Sequence, residues 1–561
     1  MNQLNFIYSK LFIVLLFAGI FVGCESLDED LTGQVTAGAF FTDETSINSG
    51  MIGVYREASD VWGITQFSIP VCGDDILTTR DGANKQPFRD YDQFKANGVQ
   101  TWEYQHIWKR CYLSIRTSNS YISTLENINP NFGIEESFIN QKLGEARFLR
   151  ANVYFALVKV FGDVPYFENA ELKDSTTRKM DKRVIYDQMI KDLEFAEMYC
   201  VEESAKEAPG QVTKMAAKGS LAQIYMQLTG WPYNESDKWE KVKKYAGEVI
   251  NSGNFELMPE YGDLFKHTKA AANKEDIFKF TFGLASTGAY QRFSGKPMDA
   301  WNDMHCQWKF YNDFPVGARK SFSLQANMLM GPYKNFVHPG FSKFLFGTIK
   351  KDPQGLNDGE WEEAYEHTWQ TSVNIALQRL SDIYLLWAEA DARTTGSISA
   401  EAVDYVNMVK RRAKGDVNGI GGNFYTTSID GVDVAASDFA STNDFLNEIF
   451  NERGWEFAGE WGFRWFDLVR LEKLGEVTAQ RNSYDLDAAI AVALKAWKAK
   501  NANATQDEIN AQITAMKFLA SELPLADSNP TVAKYGFAPI PEIAIQETPG
   551  LRDAALTSFE D

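Results

Sequence analysis

Between residues 145 and 250 the chain repeats one pattern. An apolar stripe recurs at three- and four-residue steps, a break follows, and from residue 183 onward each next stripe begins about 25 to 30 residues later. The stripes cover 145–161, 183–199, 213–228 and 238–250. The second carries Tyr186, Ile190, Leu193 and Ala196, the third Ala216, Ala217, Leu221, Ile224 and Tyr225, and the fourth Trp239, Val242, Tyr245, Ala246 and Val249. Only an α-helix gathers such positions on one face. The first stripe is stopped by Gly162 and Pro165, and the alanines let facing antiparallel helices approach closely. A chain built this way is committed to stacked helix pairs.

The same periodicity predicts helices over 43–58, 102–125, 377–393, 399–414, 443–457 and 461–474. Residues 486–520 are helical by propensity and peripheral by composition. Paired helices repeating at roughly 34 residues resemble tetratricopeptide repeats. Two stretches break the pattern. Residues 60–100 are punctuated by Gly63, Pro70, Gly73, Gly82, Pro87 and Gly98. After a short alternating strand at 276–282, no helical period persists over 283–370. Irregular stretches of that length are more often functional than not. The expected fold is therefore all-α dominated: a tetratricopeptide-like helical-pair scaffold over about 40–275 and 375–475, with a loop-rich, mixed ligand-binding subregion over about 283–370. A C-terminal segment, 476–561, completes a single unit running from residue 24 to residue 561.

Residues 1–23 read as an export signal: Lys10 precedes an unbroken apolar run, Leu11 to Val22, and Gly23 stands before Cys24. The run falls short of the ~20 residues that span a bilayer. It resembles a bacterial lipoprotein signal, which implies a lipidated Cys24 (palmitate) and an outer-membrane, lipid-anchored protein. A plain secretory signal with an incidental cysteine is the alternative. The acidic Glu25, Asp28, Glu29 and Asp30 that follow resemble the tag sending Bacteroidetes lipoproteins to the cell surface.

Charge narrows the function. Lys and Arg number 56 against 76 Asp and Glu, a formal net charge of −20, so nothing favours nucleic-acid phosphates. Aromatic residues make up 14% of the chain, enough to expect some rings on a binding surface. Cys72, Cys111, Cys200 and Cys306 have no metal-ligand spacing, and their pairing cannot be read from sequence; buried free thiols are expected for most. There is no Gly-x-Ser-x-Gly elbow, phosphate loop or His-Glu-x-x-His motif. The adjacent carboxylates Asp74-Asp75 and Glu362-Glu363 do not make the facing pair a glycosidase needs. No enzyme, cofactor or metal is expected.

Four segments together resemble the SusD/RagB family of outer-membrane nutrient-binding lipoproteins. They are Glu145-Ala146-Arg147-Phe148-Leu149-Arg150-Ala151-Asn152-Val153-Tyr154-Phe155 with Phe161-Gly162-Asp163-Val164-Pro165; Gln378-Arg379-Leu380-Ser381-Asp382-Ile383-Tyr384-Leu385-Leu386-Trp387-Ala388-Glu389-Ala390; Glu452-Arg453-Gly454-Trp455-Glu456-Phe457-Ala458-Gly459-Glu460 with Arg464-Trp465-Phe466-Asp467-Leu468-Val469-Arg470; and Pro539-Ile540-Pro541. Gly454 departs from the family pattern, where a second basic residue is common, and 480–530 looks like an insertion. The resemblance implies a cell-surface lipoprotein that binds oligosaccharides and delivers them to a SusC-like TonB-dependent transporter, anchored in outer-membrane lipid through Cys24. A peptide- or amino-acid-binding member of the family is the alternative, and a surface glycosidase a further rival. The charged residues of these motifs read as scaffold ion pairs, with Glu460–Arg464 and Glu389–Arg393 at the four-residue spacing of helix partners.

Sugars present hydroxyls around a ring with an apolar face, so flat side chains beside Asn, Asp, Arg and Gln suit them. The first irregular stretch offers Trp62, Asp74, Asp75, Arg80, Tyr91 and Asn97; the second offers Tyr290, Arg292, Trp301, Asn302, Asp303, Trp308 and Tyr311. Core packing is the alternative role for each tryptophan.

Overall fold

The computed structural model describes residues 40–62, 72–78, 86–95, 99, 102–169, 174–282, 304–325, 339–343, 374–482, 485–520 and 530–559. The signal region and Cys24 lie outside them. Helices dominate. The scaffold comprises α1 (Glu44–Trp62), α2 (Gln86–Asp92), α3 (Trp102–Glu126), α4 (Glu136–Phe161), α5 (Lys182–Tyr199), α6 (Lys214–Thr229) and α7 (Trp239–Asn251). Sequence neighbours pack on one another from α3 through α7, as the tandem pattern requires. Caps set several starts: Asp181 accepts the Arg183 N–H before α5, and Thr213 accepts that of Ala216 before α6. Ala217, Leu221, Ala222 and Leu228 are wholly buried on α6, where each leucine contributes about 1.5–3 kcal/mol of transfer energy. Helix α4 begins nine residues before the expected 145, and Phe138, Ile139 and Leu143 of its first turns pack on the core.

Strand β1 (Ile76–Thr78) lies in the first irregular stretch, and β2 (Asp276–Phe280) follows the helical stack. The second irregular stretch is less bare than expected. Its described residues include β3 (Met304–Cys306), α8 (Trp308–Asp313), α9 (Ala318–Ser323), β4 (Leu324–Gln325) and β5 (Gly340–Phe341). These elements are two to six residues long, too short to leave a periodic trace. Then β6 (Ile375–Arg379) pairs antiparallel with β2, Asp276 opposite Arg379 and Phe280 opposite Ile375. The middle region therefore leaves the stack at β2 and returns at β6. Residues 377–379, expected as helix, are the end of that strand.

Helices resume with α10 (Leu380–Thr395), which packs on α7 and so continues the stack, then α11 (Ala400–Lys414), α12 (Thr442–Glu456), α13 (Phe463–Arg470), α14 (Leu474–Asn482), α15 (Leu486–Lys500) and α16 (Gln506–Ala520). The expected helix over 461–474 is divided. Gly462 adopts φ 76°, and α13 starts after it. The C-terminal residues fold back onto the scaffold, with Ala538 N–H donating to Val160 O at 2.7 Å and Asp181 N–H to Leu556 O at 2.8 Å.

The motif charges form buried chains of ion pairs. Arg470 is held by Glu389 and Asp467, Asp467 by Arg453, and Arg453 by Asp382. Arg319, Arg379 and Arg412 converge on Glu456. Buried guanidinium groups demand such carboxylates. Glu389 does reach Arg393, at 3.4 Å. Glu460 does not reach Arg464: it precedes α13 and instead pairs with Lys343 and Arg379. Cys72, Cys111, Cys200 and Cys306 are all buried, and Cys111, Cys200 and Cys306 are free thiols.

Candidate functional site

Strand β1 pairs antiparallel with β3, Ile76 opposite Cys306 and Thr78 opposite Met304. The two irregular stretches, more than two hundred residues apart in sequence, are thereby joined edge to edge. Gln307 reinforces the join, its N–H donating to Asp75 O at 3.4 Å and its amide to Ile76 O at 3.3 Å. Asp74 projects from the turn before β1 and accepts two bonds from Arg464 of α13, at 2.6 and 2.8 Å. The same guanidinium donates to Phe450 O at 3.0 Å and lies 3.9 Å from the Phe450 ring centre. Arg464 thus ties the first irregular stretch to α12 and α13.

Around this junction lies an open cleft of about 360 Å³. Asp74, Gln307, Lys309, Phe310 and Asp313 line it from the irregular stretches; Arg464, Lys473, Glu476, Gln480 and Arg481 line it from α13, α14 and the turn between them. Helix α12 contributes Asn447, Asn451 and Trp455, spaced by four and therefore on one face, together with Phe450. Its Ser441 cap accepts the Asp444 N–H and fixes where that face begins. The opposite side of α12 carries Glu452, Arg453 and Glu456 into the buried ion pairs. Asn447 is exposed, and Asn451 and Trp455 are half-buried. Among the described residues neither asparagine amide has a hydrogen-bond partner.

Asp75 lies beneath the cleft, 2% exposed. One carboxylate oxygen accepts the Gly459 N–H at 2.7 Å; the other is buried with no partner among the described residues. Burial pushes its carboxyl up to about 6, with Asp74 adding to the rise and the Gly459 N–H and Arg464 opposing it.

Asp74 and Tyr311 are half-buried, and Asp74 lines the cleft. Trp62, Asp75 and Trp308 were expected to face a ligand; the structure buries all three. Trp62 stacks on Phe280 at 5.5 Å and borders a second, smaller pocket of about 60 Å³. Trp308 is 1% exposed and meets Tyr311 edge-on at 5.6 Å. Both rings are shut away because they are the largest apolar bodies beside the β-strand junctions. Tyr91 is also buried, its hydroxyl donating to Glu103 at 3.0 Å. Arg80, Asn97, Tyr290, Arg292, Trp301, Asn302 and Asp303 lie outside the described residues. Sequence reasoning missed Asn447, Asn451 and Trp455, although their four-residue spacing was readable. Arg464, assigned wholly to the scaffold, also lines the cleft. Among the described residues no cluster of His, Cys, Asp or Glu is placed to hold a metal ion, and no helix is long and apolar enough to cross a membrane.

Comparison with known proteins places the chain. The model of the SusD family matches residues 349–555, and a model described as starch-binding associating with outer membrane matches residues 28–226. A SusD-like protein of Bacteroides ovatus is 25% identical over 496 residues, covering 83% of this chain and 82% of its own. A crystal structure of a SusD homolog from Bacteroides thetaiotaomicron superposes with TM-score 0.66 at 17% identity, over 92% of this chain and 98% of that one. Surface glycan-binding protein A of the same organism, solved with laminarihexaose, gives TM-score 0.63 at 17% identity, over 90% and 97% of the two chains.

Proposed function

Because the chain belongs to the SusD/RagB family, we propose that it is a lipid-anchored outer-membrane protein that binds oligosaccharides and hands them to a SusC-like TonB-dependent transporter. The observation that carries the binding half is the cleft at the β1–β3 junction. It combines unpartnered amides with a half-buried indole, the groups that satisfy sugar hydroxyls and cover an apolar sugar face. A protein of the same fold holds laminarihexaose, and the family description of starch binding and outer-membrane association agrees with this reading.

Binding without turnover fits the carboxylates of the cleft. Asp74, Asp313 and Glu476 are each held by a cation, and Asp75 is sealed beneath them. The transporter half and the anchor at Cys24 rest on the family and on the signal sequence. A tether holds a binder at high local concentration above a pore. The full chain in detergent, screened against a glycan array and a panel of amino acids and peptides, tests the reading. Retention of oligosaccharides without release of new reducing ends is expected. Retention of peptides alone, or hydrolysis of a captured glycan, overturns it.

A further inference from the structure

The described lining of the cleft contains four cations, and each has its own carboxylate. Lys309 pairs with Asp313, Lys473 with Glu476 at 2.9 Å, Arg464 with Asp74 at 2.6 Å, and Arg481 with Asp92 at 2.8 Å. Arg464 and Arg481 are nearly buried with their partners. The polar groups left over are neutral: the amides of Asn447 and Asn451.

We propose that this cleft selects uncharged sugar chains and excludes those bearing uronate or sulfate groups. The inference rests on the oligosaccharide-binding reading of the same cleft and narrows it. A primary amide both donates and accepts, which matches a hydroxyl; a carboxylate or sulfate only accepts. An anionic ligand would need to draw a cation from its partner, leaving Asp74, Asp313, Glu476 or Asp92 unpaired beside the incoming charge. For the nearly buried Arg464 and Arg481 that exchange is the most unfavourable, because the abandoned carboxylate stays out of water. The formal net charge of −20 adds long-range repulsion of polyanions.

The full chain is titrated calorimetrically with neutral oligosaccharides (β-glucan, xyloglucan, mannan, galactan) and with anionic ones (alginate, pectate, sulfated galactan), each at about 20 and about 500 mM NaCl. Binding is expected for a neutral oligosaccharide, with an affinity that changes less than about twofold between the two salts. Asn447→Ala combined with Asn451→Ala, at one exposed and one half-buried position, is expected to weaken that binding about tenfold or more. The pair Asp313→Asn and Glu476→Gln, which unmasks Lys309 and Lys473, should admit an anionic oligosaccharide in a salt-sensitive way. Tighter binding of an anionic than of any neutral oligosaccharide by the unaltered chain overturns the selection and leaves oligosaccharide binding standing. Continued exclusion of anions by the unmasked variant overturns the role of the pairings. Failure of both ligand classes to bind overturns the oligosaccharide reading itself.

Discussion

Arg464 shows how one side chain serves scaffold and cleft together. Its guanidinium is clamped by Asp74 and the Phe450 carbonyl and lies over the Phe450 ring. Gly454 makes room for it: a Cβ there would stand 2.7 Å from Nη1 and 3.0 Å from Cζ. The departure from the family pattern at Gly454 therefore has a local cause. Gly454→Ala is expected to destabilise the protein by about 1–3 kcal/mol, since the clamped guanidinium cannot swing away. Denaturant unfolding measures this, and an unchanged midpoint would refute the close approach. Asp75 supplies a pH signature. Its folded-state pKa is raised to about 6 by burial, while the unfolded chain titrates near 4. Between those values the folded state holds a proton that the unfolded state has released, so stability falls as pH rises through the window, by up to about 3 kcal/mol. Asp75→Asn should flatten that fall; identical stability–pH profiles for variant and parent between pH 4 and 6 would count against it.

Helix α12 divides its two faces between two tasks. One face carries Glu452, Arg453 and Glu456 inward; the other lines the cleft with Asn447, Asn451 and Trp455. Trp455→Ala should weaken oligosaccharide binding by about 1–3 kcal/mol, the scale of an aromatic anchor. Because that ring is half-buried at the edge of the core, tilted against Phe314 at 6.4 Å, the thermal midpoint should move by only a few degrees. Calorimetric titration and a melting curve separate the two effects, and a large melting shift with unchanged affinity would make Trp455 a core residue. Helices α5, α6 and α7 were readable to within a residue at each end, because their apolar stripes run nearly cap to cap. Strand β6 and the break before α13 were not: Leu377 and Ile375 serve strand or helix equally, and Gly462 carries no periodicity to lose.

At the scale of the whole molecule, the buried ion pairs tie distant parts of the chain. Arg453 links Asp382 of α10 to Asp467 of α13, and Arg319 of α9 reaches Glu452 and Glu456 of α12. Arg453→Met would take the guanidinium from the buried Asp382 and one of two guanidinium partners from the buried Asp467, and is expected to cost about 3–5 kcal/mol. Denaturant unfolding reads this; a loss under about 1 kcal/mol would show the chain of pairs to be dispensable. Acid should act on the same network. Burial pushes the Asp467 carboxyl up, but Arg453 and Arg470 outweigh it and hold it at about 2. Its stabilising contribution is complete above the ordinary carboxylate range and is lost as pH falls from about 4 toward 2. Anchoring also belongs to this scale: Cys24→Ala should move the protein from the membrane to the soluble fraction, and persistence in the membrane would remove Cys24 as the attachment point.

The sequence by itself determined the helical stack, the placement of most of its helices and the family, because a 3.6-residue stripe and a run of charged motif residues are local signals. Even the meeting of scaffold charges was foreseeable in kind, since a buried guanidinium must find a carboxylate. Tertiary structure alone decided the partners: Glu460 with Lys343 and Arg379, and Arg464 with Asp74. It also decided which rings are covered and where the cleft opens, through the β1–β3 pairing of two stretches that carry no period. A ring buries wherever a neighbouring surface can exclude water, and that neighbour lies hundreds of residues away along the chain.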